Sequence, residues 1–361
     1  MSTIDVGYIG LNHHHTEPYL ESLAQLPVEV TCACEPDEEI DTDSVEGLGD
    51  VTLYRSPAAL LEDESPDLIW VTLSNADAPG VIIDAVERGV DVFTEKPVAR
   101  TADELRPVVD AARESDATVG VSYSWRGHPI AQELRDRVRG GFFGDVRAFE
   151  ARFLASRPEF RNTDHYLFDP QASRGGIVQW LGIHWIDLLP WILGDQIERV
   201  NAALDHRSDA IDVEDGGLLQ LETASGAIGT LHCGYYLREG RYDTNIAVYG
   251  DEGRAEWDPI GATFGFDGQT TVELASTDDS WNGTPQRTIT YDYEPTSGYG
   301  GEWGLEFLRA FLDAVENDRP VPVSLEDAAS VLEVLDAVYA SAGSGEWESV
   351  GDDRRVALEQ D

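Results

Sequence analysis

The chain has 361 residues, 42% of them hydrophobic, and this length exceeds what one hydrophobic core usually supports, so two domains are expected. Its 69 acidic and 25 basic residues give a formal net charge of -44, which disfavours nucleic acid and anionic membranes as partners. Molar salt screens such a charge, so the composition indicates a halophilic adaptation. Neither a membrane-length apolar run nor a signal-peptide pattern is present, and we expect a cytoplasmic protein.

The first third of the chain alternates strand and helix patterns at short spacing. The predicted elements are the strands Ile4–Ile9, Val28–Cys34, Leu68–Leu73, Asp91–Thr94 and Thr118–Tyr123, and the helices Glu17–Gln25, Ala78–Arg88 and Thr101–Ser115. Repeated strand–helix units predict an α/β domain with a doubly wound parallel sheet of the Rossmann type over residues 1–124. Ligands of such sheets bind beyond the carboxyl ends of the strands, where the strand order reverses.

Longer strands and hairpin spacings follow Ser124. The predicted strands are Phe143–Phe153, Gly217–Glu222, Ala227–Tyr236 and Asn245–Gly250, and the predicted helices are Gly175–Leu193, Trp303–Val315 and Leu325–Ser341. This pattern favours an α+β domain over residues 125–361, built on a large, mostly antiparallel open sheet.

The turn after the first strand, Gly10-Leu11-Asn12-His13-His14-His15, resembles the dinucleotide-binding fingerprint only in part. The first glycine is present, and Asn12 is the type of residue that best tolerates a positive φ in place of a second one. Amides at the following helix N-terminus can still hold a phosphate. An ordinary strand–helix turn remains the alternative for this segment.

Glu35 ends the second predicted strand, where a carboxylate accepts hydrogen bonds from a ribose diol and repels a 2′-phosphate. Glu35 therefore favours NAD over NADP. The three consecutive histidines suggest a metal site, but adjacent side chains of a turn diverge, and we predict none.

Lys96 is the only lysine among the 25 basic residues, and it lies in the tripeptide Glu95-Lys96-Pro97. Lysine is a compact cation whose pKa moves when it is desolvated, whereas arginine stays charged. Lys96 is thus a candidate catalytic residue. The alternative is a chance survivor of the compositional bias at the surface end of a strand.

Seven segments in this order resemble the Gfo/Idh/MocA family of oxidoreductases. They are Gly10 after the first strand, Glu35-Pro36-Asp37, Ser74-Asn75, Glu95-Lys96-Pro97, Arg126-Gly127-His128-Pro129, Gly175-Gly176 with Gly182-Ile183-His184-Trp185-Ile186-Asp187, and Tyr249-Gly250-Asp251-Glu252-Gly253. The resemblance covers about Val6 to Trp347. It implies a nucleotide-binding domain, a second domain whose open sheet mediates oligomerisation, and NAD(P)-dependent chemistry on a sugar, an inositol or a related polyol.

The resemblance also implies the site residues. Lys96 would stabilise a developing alkoxide beside the nicotinamide, and His184 would be the general acid or base. The residues expected to bind the cofactor are Gly10, Asn12, His13, Glu35, Ser74, Asn75, Glu95, Lys96 and Pro97. A homodimer or homotetramer is expected from the open sheet.

One departure from the family pattern concerns the position one helical turn before His184. Many members carry an aspartate there, and this chain carries Trp180, which would either pack in the core or form an aromatic wall for the sugar. Asp187 is a possible substitute for the missing carboxylate. Further candidates for substrate contacts are Arg126, Asp164, His165 and Arg174.

Three hypotheses follow from these residues. The first is an NAD-dependent sugar or polyol dehydrogenase. The second is a redox-neutral lyase or hydrolase of the same family, which the missing aspartate favours. The third is a non-catalytic NAD-binding or sugar-binding sensor, suggested by the degenerate glycine turn and by Trp180.

Overall fold

The computed structural model describes residues 3–260, 269–292 and 294–351. The chain forms two compact units, and the first combines the residues up to Ser124 with the later segment Pro295–Ala329. The second unit comprises Trp125–Glu294 and the chain from Ser330 onward. The predicted boundary at Ser124 is a boundary between the units. The prediction of two continuous ranges did not include the return of Pro295–Ala329 to the first unit.

The first unit is built on a six-stranded, fully parallel sheet with the order β3-β2-β1-β4-β5-β6. Its strands are β1 (Ile4–Ile9), β2 (Val28–Cys34), β3 (Thr52–Tyr54), β4 (Leu68–Val71), β5 (Asp91–Thr94) and β6 (Val119–Val121). This order confirms the doubly wound prediction and places the reversal between β1 and β4. The prediction missed β3, since three residues are too few to show a periodicity.

Among the described residues, five α-helices lie entirely in the first unit. They are α1 (Thr16–Leu23), α2 (Pro57–Asp63), α3 (Ala78–Val86), α4 (Ala102–Arg113) and α7 (Gly301–Asn317). Thr101 caps the start of α4, because its side chain accepts the main-chain N–H of Glu104 at 3.2 Å.

Helix α7 explains why the late segment returns to the first unit. Its Phe311 ring lies 5.0 Å from the ring of Phe93 in β5. The same ring fills the space beside Gly120 in β6, where an added Cβ would come within 2.4 Å of it. The first core is therefore completed by residues far away in the sequence.

The second unit is built on a nine-stranded sheet with the order β14-β13-β12-β11-β7-β10-β9-β8-β15. Its strands are β7 (Val146–Ser156), β8 (Ile197–Asp205), β9 (Gly216–Thr223), β10 (Ile228–Leu237), β11 (Tyr242–Gly250), β12 (Gly253–Trp257), β13 (Gln269–Ser276), β14 (Gln286–Asp292) and β15 (Glu348–Ser349). Strands β7 and β10 pair in parallel, and the other pairs are antiparallel. The mostly antiparallel sheet is confirmed.

Several strands of this sheet were not predicted. Strand β14 is exposed along most of its length, so it shows no alternation of buried and exposed residues for a sequence pattern to detect.

The helices of the second unit include α5 (Pro129–Arg139), α6 (Ile183–Leu193) and most of α8 (Leu325–Ser344). A π-helical turn over Val178–Gly182 precedes α6, where the sequence predicted a continuous helix. Within the described residues, every helix is too short or too polar to span a bilayer.

Candidate active site

Lys96 follows β5 at the carboxyl edge of the parallel sheet, and its side chain is fully buried. Its Nζ lies 4.0 Å from Oε2 of Glu95, which is also buried. Burial lowers the pKa of Lys96 because it disfavours the ammonium form, and the negative charge of Glu95 opposes this effect. A desolvated lysine beside one carboxylate is a typical arrangement at a reactive centre.

Glu95 is the centre of a buried hydrogen-bond cluster in the first unit. Its Oε1 lies 2.8 Å from Nδ1 of His15 and accepts the Tyr19 hydroxyl at 2.7 Å. Its Oε2 accepts the main-chain N–H of Lys96 at 2.7 Å. The Tyr19 hydroxyl also lies 2.5 Å from Oγ of Ser122. Burial alone would raise the pKa of Glu95, but Lys96 and His15 together hold it below its ordinary value.

The turn after β1 places its glycine where a side chain is impossible. Gly10 has a φ of +96°, and a Cβ there would lie 2.8 Å from the main-chain carbon of Thr72. The positive φ therefore falls on Gly10 and not on Asn12, which corrects the expectation that Asn12 adopts it. Asn12 is exposed in the turn.

Glu35 is buried at the end of β2 and holds this turn. Its Oε2 accepts the main-chain N–H groups of Leu11 and Asn12 at 2.6 and 3.1 Å. Its Oε1 accepts the N–H of Asp37 at 2.9 Å. Glu35 thus occupies two amides of the turn and fixes the conformation of the turn.

The three histidines of the turn do not point the same way. His14 is exposed, as expected for adjacent side chains that diverge, whereas His13 and His15 lie beside Glu95 with ligand atoms within 4.8 Å of one another. The Nδ1 of His13 accepts the main-chain N–H of His15 at 3.0 Å. The absence of a metal site at the three histidines stays a prediction.

Ser74 and Asn75 follow β4, which is the strand beside β1 at the point of reversal. Both are buried, and the Ser74 hydroxyl donates to the carboxylate of Asp77 at 2.6 Å at the start of α3. The structure therefore places Gly10, Glu35, Ser74 and Lys96 at the carboxyl edge of one sheet, with Pro97 next to Lys96. These strand ends share one edge because the strands are parallel, and the binding roles of the residues stay predictions.

His184 lies in the first turn of α6 in the second unit and is 5% exposed. Its ring lies 6.4 Å from Phe153, nearly parallel to it, and 6.5 Å from Trp125. Trp180, in the preceding π-helical turn, is also buried. π-Helical turns occur frequently at functional sites, which makes this segment a candidate beyond its sequence motif.

Asp187 is held by Arg126 in a buried ion pair of the second unit. Nη2 of Arg126 donates to Oδ1 of Asp187 at 2.5 Å, and Nε lies 3.1 Å from both carboxylate oxygens. The pair connects the start of the second unit to α6. The substrate contact of Arg126 and the role of Asp187 as a partner of His184 stay predictions.

The three loop candidates occupy different environments. Asp164 is exposed, whereas His165 is buried and its Nδ1 accepts the N–H of Leu167 at 3.3 Å. Arg174 has a φ of +81°, donates to Asp336 at 2.5 Å and lies 4.5 Å over the Tyr339 ring. These contacts anchor Arg174 within the second unit, and substrate contacts of all three residues stay predictions.

Glu214 is a buried residue that the sequence reasoning missed. Its carboxylate accepts the N–H groups of Gly176 and Val178 at 2.6 and 3.1 Å and the Tyr339 hydroxyl at 3.0 Å. It thereby fixes the start of the segment that leads to His184. A Cβ on Gly175 would lie 1.9 Å from the Tyr339 hydroxyl, which explains that glycine. The acidic pair Glu214-Asp215 before a strand is the only local signal for this role.

Comparison with known proteins identifies both units. The oxidoreductase family with an NAD-binding Rossmann fold matches residues 4–123. The GFO/IDH/MocA C-terminal domain matches residues 131–256. The chain belongs to the Gfo/Idh/MocA family of oxidoreductases. The resemblance seen in the sequence motifs is confirmed, and the first unit is an NAD-binding domain.

Named relatives of this Gfo/Idh/MocA protein cover most of its length. D-xylose 1-dehydrogenase (NADP(+)) 2 of Haloferax volcanii is 28% identical over 82% of this chain and 85% of that protein. Myo-inositol 2-dehydrogenase of Thermotoga maritima is 26% identical over 80% of each. A levoglucosan dehydrogenase structure in complex with NADH and levoglucosan has a TM-score of 0.85 at 18% identity, over 97% of this chain and all of that one. At this identity the structural match shows the shared fold.

Proposed function

We propose that this family member is an NAD-dependent dehydrogenase that oxidises a secondary hydroxyl of a sugar or polyol, or reduces the corresponding carbonyl. The observation that carries the proposal is Lys96, the sole lysine of the chain, fully buried beside Glu95 at the carboxyl edge of the parallel sheet. The substrate class is supported by the named sugar and inositol dehydrogenases among the relatives.

The turn fits the pyrophosphate of a dinucleotide because Gly10 lets the chain bend sharply against Thr72 and leads into the N-terminus of α1 at the carboxyl edge of the parallel sheet. A bound nicotinamide would supply the acceptor for the hydride of the carbon that bears the hydroxyl. The Lys96 ammonium stabilises the negative charge that develops on the substrate oxygen. His184 accepts the hydroxyl proton during oxidation and returns it during reduction.

The first prediction is that Lys96→Met lowers turnover by about a thousandfold, because the developing alkoxide loses its cation. The measurement is NADH formation with a panel of sugars and polyols in molar KCl. Arg100→Met is the matched control. Arg100 lies four residues after Lys96 and is a partly exposed cation that pairs with Glu104. Its replacement should change turnover less than twofold. Retained NADH binding by Lys96→Met shows that the site is folded, and undiminished turnover of this variant would refute the assignment.

The second prediction concerns the preference for NAD, which we attribute to Glu35. Glu35→Gln keeps an oxygen that accepts the Leu11 and Asn12 amides and removes the charge that repels a 2′-phosphate. We expect the ratio of kcat/KM for NADP to that for NAD to rise about tenfold. Asp37→Asn, which removes an exposed neighbouring charge, is the control and should shift the ratio far less. An unchanged ratio in Glu35→Gln would place cofactor selection elsewhere.

A redox-neutral reaction on the same cofactor is the second candidate. It is favoured by Trp180, a buried indole at a position where many family members carry an aspartate. The two candidates differ in one measurement. A dehydrogenase forms NADH in proportion to product, whereas the redox-neutral reaction forms product while the NADH concentration stays constant.

A further inference from the structure

His15 occupies the last position of the turn, where the fingerprint of dinucleotide-binding proteins has a glycine or alanine. A large residue there would obstruct the phosphate unless its ring were held in a fixed position. The ring is held in this way: Nδ1 lies 2.8 Å from Oε1 of Glu95, and the ring centroid lies 4.4 Å from that of Tyr299. The His15 side chain is 18% exposed, so one part of the ring reaches the surface of the turn.

Glu95 also determines which ring nitrogen of His15 carries the proton. An ionised carboxylate accepts and cannot donate, so the short contact requires a proton on Nδ1 of His15. The next proton is then taken up at Nε2, and the carboxylate stabilises the resulting imidazolium, as it does when it orients a catalytic or metal-binding histidine. Without a ligand, burial lowers the pKa of His15 and favours the neutral ring.

Several charged or titratable groups lie around this ring. They are Glu95 and Lys96 after β5, His13 and His14 in the turn, Tyr19 in α1, and Tyr299 in the late segment of the first unit. The only anion among them at neutral pH is Glu95, which already shares its charge with Lys96. A bound pyrophosphate would bring the negative charge that makes protonation of His15 favourable.

We propose that His15, oriented by Glu95, binds the pyrophosphate of the dinucleotide as an imidazolium, and that cofactor binding is accompanied by proton uptake at Nε2. The inference deepens the proposed function, since it concerns the same cofactor. It assigns to a histidine the anion contact that main-chain amides alone provide in a glycine-rich turn.

The test is NADH binding, measured by fluorescence in molar KCl, for the intact chain and its variants. His15→Ala should raise the dissociation constant about tenfold at about pH 6, and less at about pH 8, where the ring loses its proton. His14→Ala is the matched control, because His14 is exposed on the same turn, and it should change the constant less than twofold. ADP-ribose keeps the pyrophosphate, so its affinity should fall by the same factor in His15→Ala. The affinity for adenosine, which has no pyrophosphate, should not change.

His15→Gln separates charge from position, because its amide can still donate to Glu95 but cannot take up a proton. Calorimetric titration with NADH in two buffers of different ionisation enthalpy should show proton uptake for the unaltered chain and none for His15→Gln or His15→Ala. The inference about His15 would be overturned if His14→Ala and His15→Ala lost NADH affinity equally, or if proton uptake persisted without His15. The cofactor assignment would be unaffected by either result. Failure of the unaltered chain to bind NADH would instead contradict the cofactor assignment itself.

Discussion

At the scale of single residues, burial decides which ionisable groups carry charge in this acidic protein. Lys96 keeps a partner in Glu95, so a cation is retained in the interior of the first unit. His128 is buried in the second unit, where its ring lies 4.6 Å from Trp257, and burial lowers its pKa to about 3. Its Nδ1 accepts the N–H of Ile130 at 3.2 Å and caps α5, a role that requires the neutral ring.

The third prediction follows from the direction of this shift. The folded-state pKa of His128 lies below its ordinary value of 6.5, so the unfolded chain takes up the proton first as the pH falls. The stability that His128 contributes is therefore complete above about pH 6.5 and is lost progressively towards the folded-state value, by about 1 kcal/mol per pH unit. Many carboxylates titrate in the same range, so the measurement is a comparison with a variant.

His128→Asn keeps an N-cap acceptor and removes the titration. Urea unfolding at constant salt should show a steeper loss of stability on acidification for the unaltered chain than for His128→Asn. Parallel pH profiles of the two proteins would contradict this assignment.

At the scale of secondary structure, the element that carries His184 is shaped by close packing against the sheet. Gly182 ends the π-helical turn, and an added Cβ there would lie 2.7 Å from Sγ of Cys233 in β10. Glu214 fixes the beginning of the same segment through two amides. The start and the end of the turn before His184 are thus both determined by tertiary contacts.

The fourth prediction is that Gly182→Ala destabilises the protein by about 1–3 kcal/mol, because the new methyl group overlaps a buried sulfur atom. Denaturant unfolding measures this loss. Cys233→Ala in the same chain removes the sulfur and should restore a large part of the stability, which a general preference for glycine at position 182 would not do. Gly283→Ala is a suitable control, since no atom lies within 4 Å of an added Cβ there.

At the scale of the whole molecule, the net charge of -44 is the dominant long-range term. At molar salt the Debye length falls to about 3 Å, so repulsion between acidic side chains is largely removed. The fifth prediction is a rise of the unfolding temperature, on the order of 10 °C, from low-salt buffer to molar KCl. A further increase from one to two molar KCl is the control, because screening is already nearly complete at one molar, and an equal second rise would contradict an electrostatic cause.

The expected homodimer or homotetramer stays a prediction. Exposed apolar side chains on neighbouring strands of the large sheet, Leu218 in β9 and Ile228 and Tyr236 in β10, are consistent with a covered surface. Sedimentation in molar KCl measures the oligomeric state under conditions in which like charges are screened.

The sequence by itself determined the parallel sheet of the first unit and the family, because long periodic segments and motifs such as Glu95-Lys96-Pro97 are local properties of the chain. It also singled out Glu35 from its position after a strand and Lys96 as the only lysine, and the roles of both residues stay predictions. Only the tertiary structure decided three other features. They are the positive φ at Gly10, the hydrogen bond between His15 and Glu95, and the hydrogen bonds of Glu214 to the segment before His184. The same is true of the return of Pro295–Ala329 to the first unit. Each of these features depends on atoms that are close in space but distant along the chain, and a local pattern contains no information about such contacts.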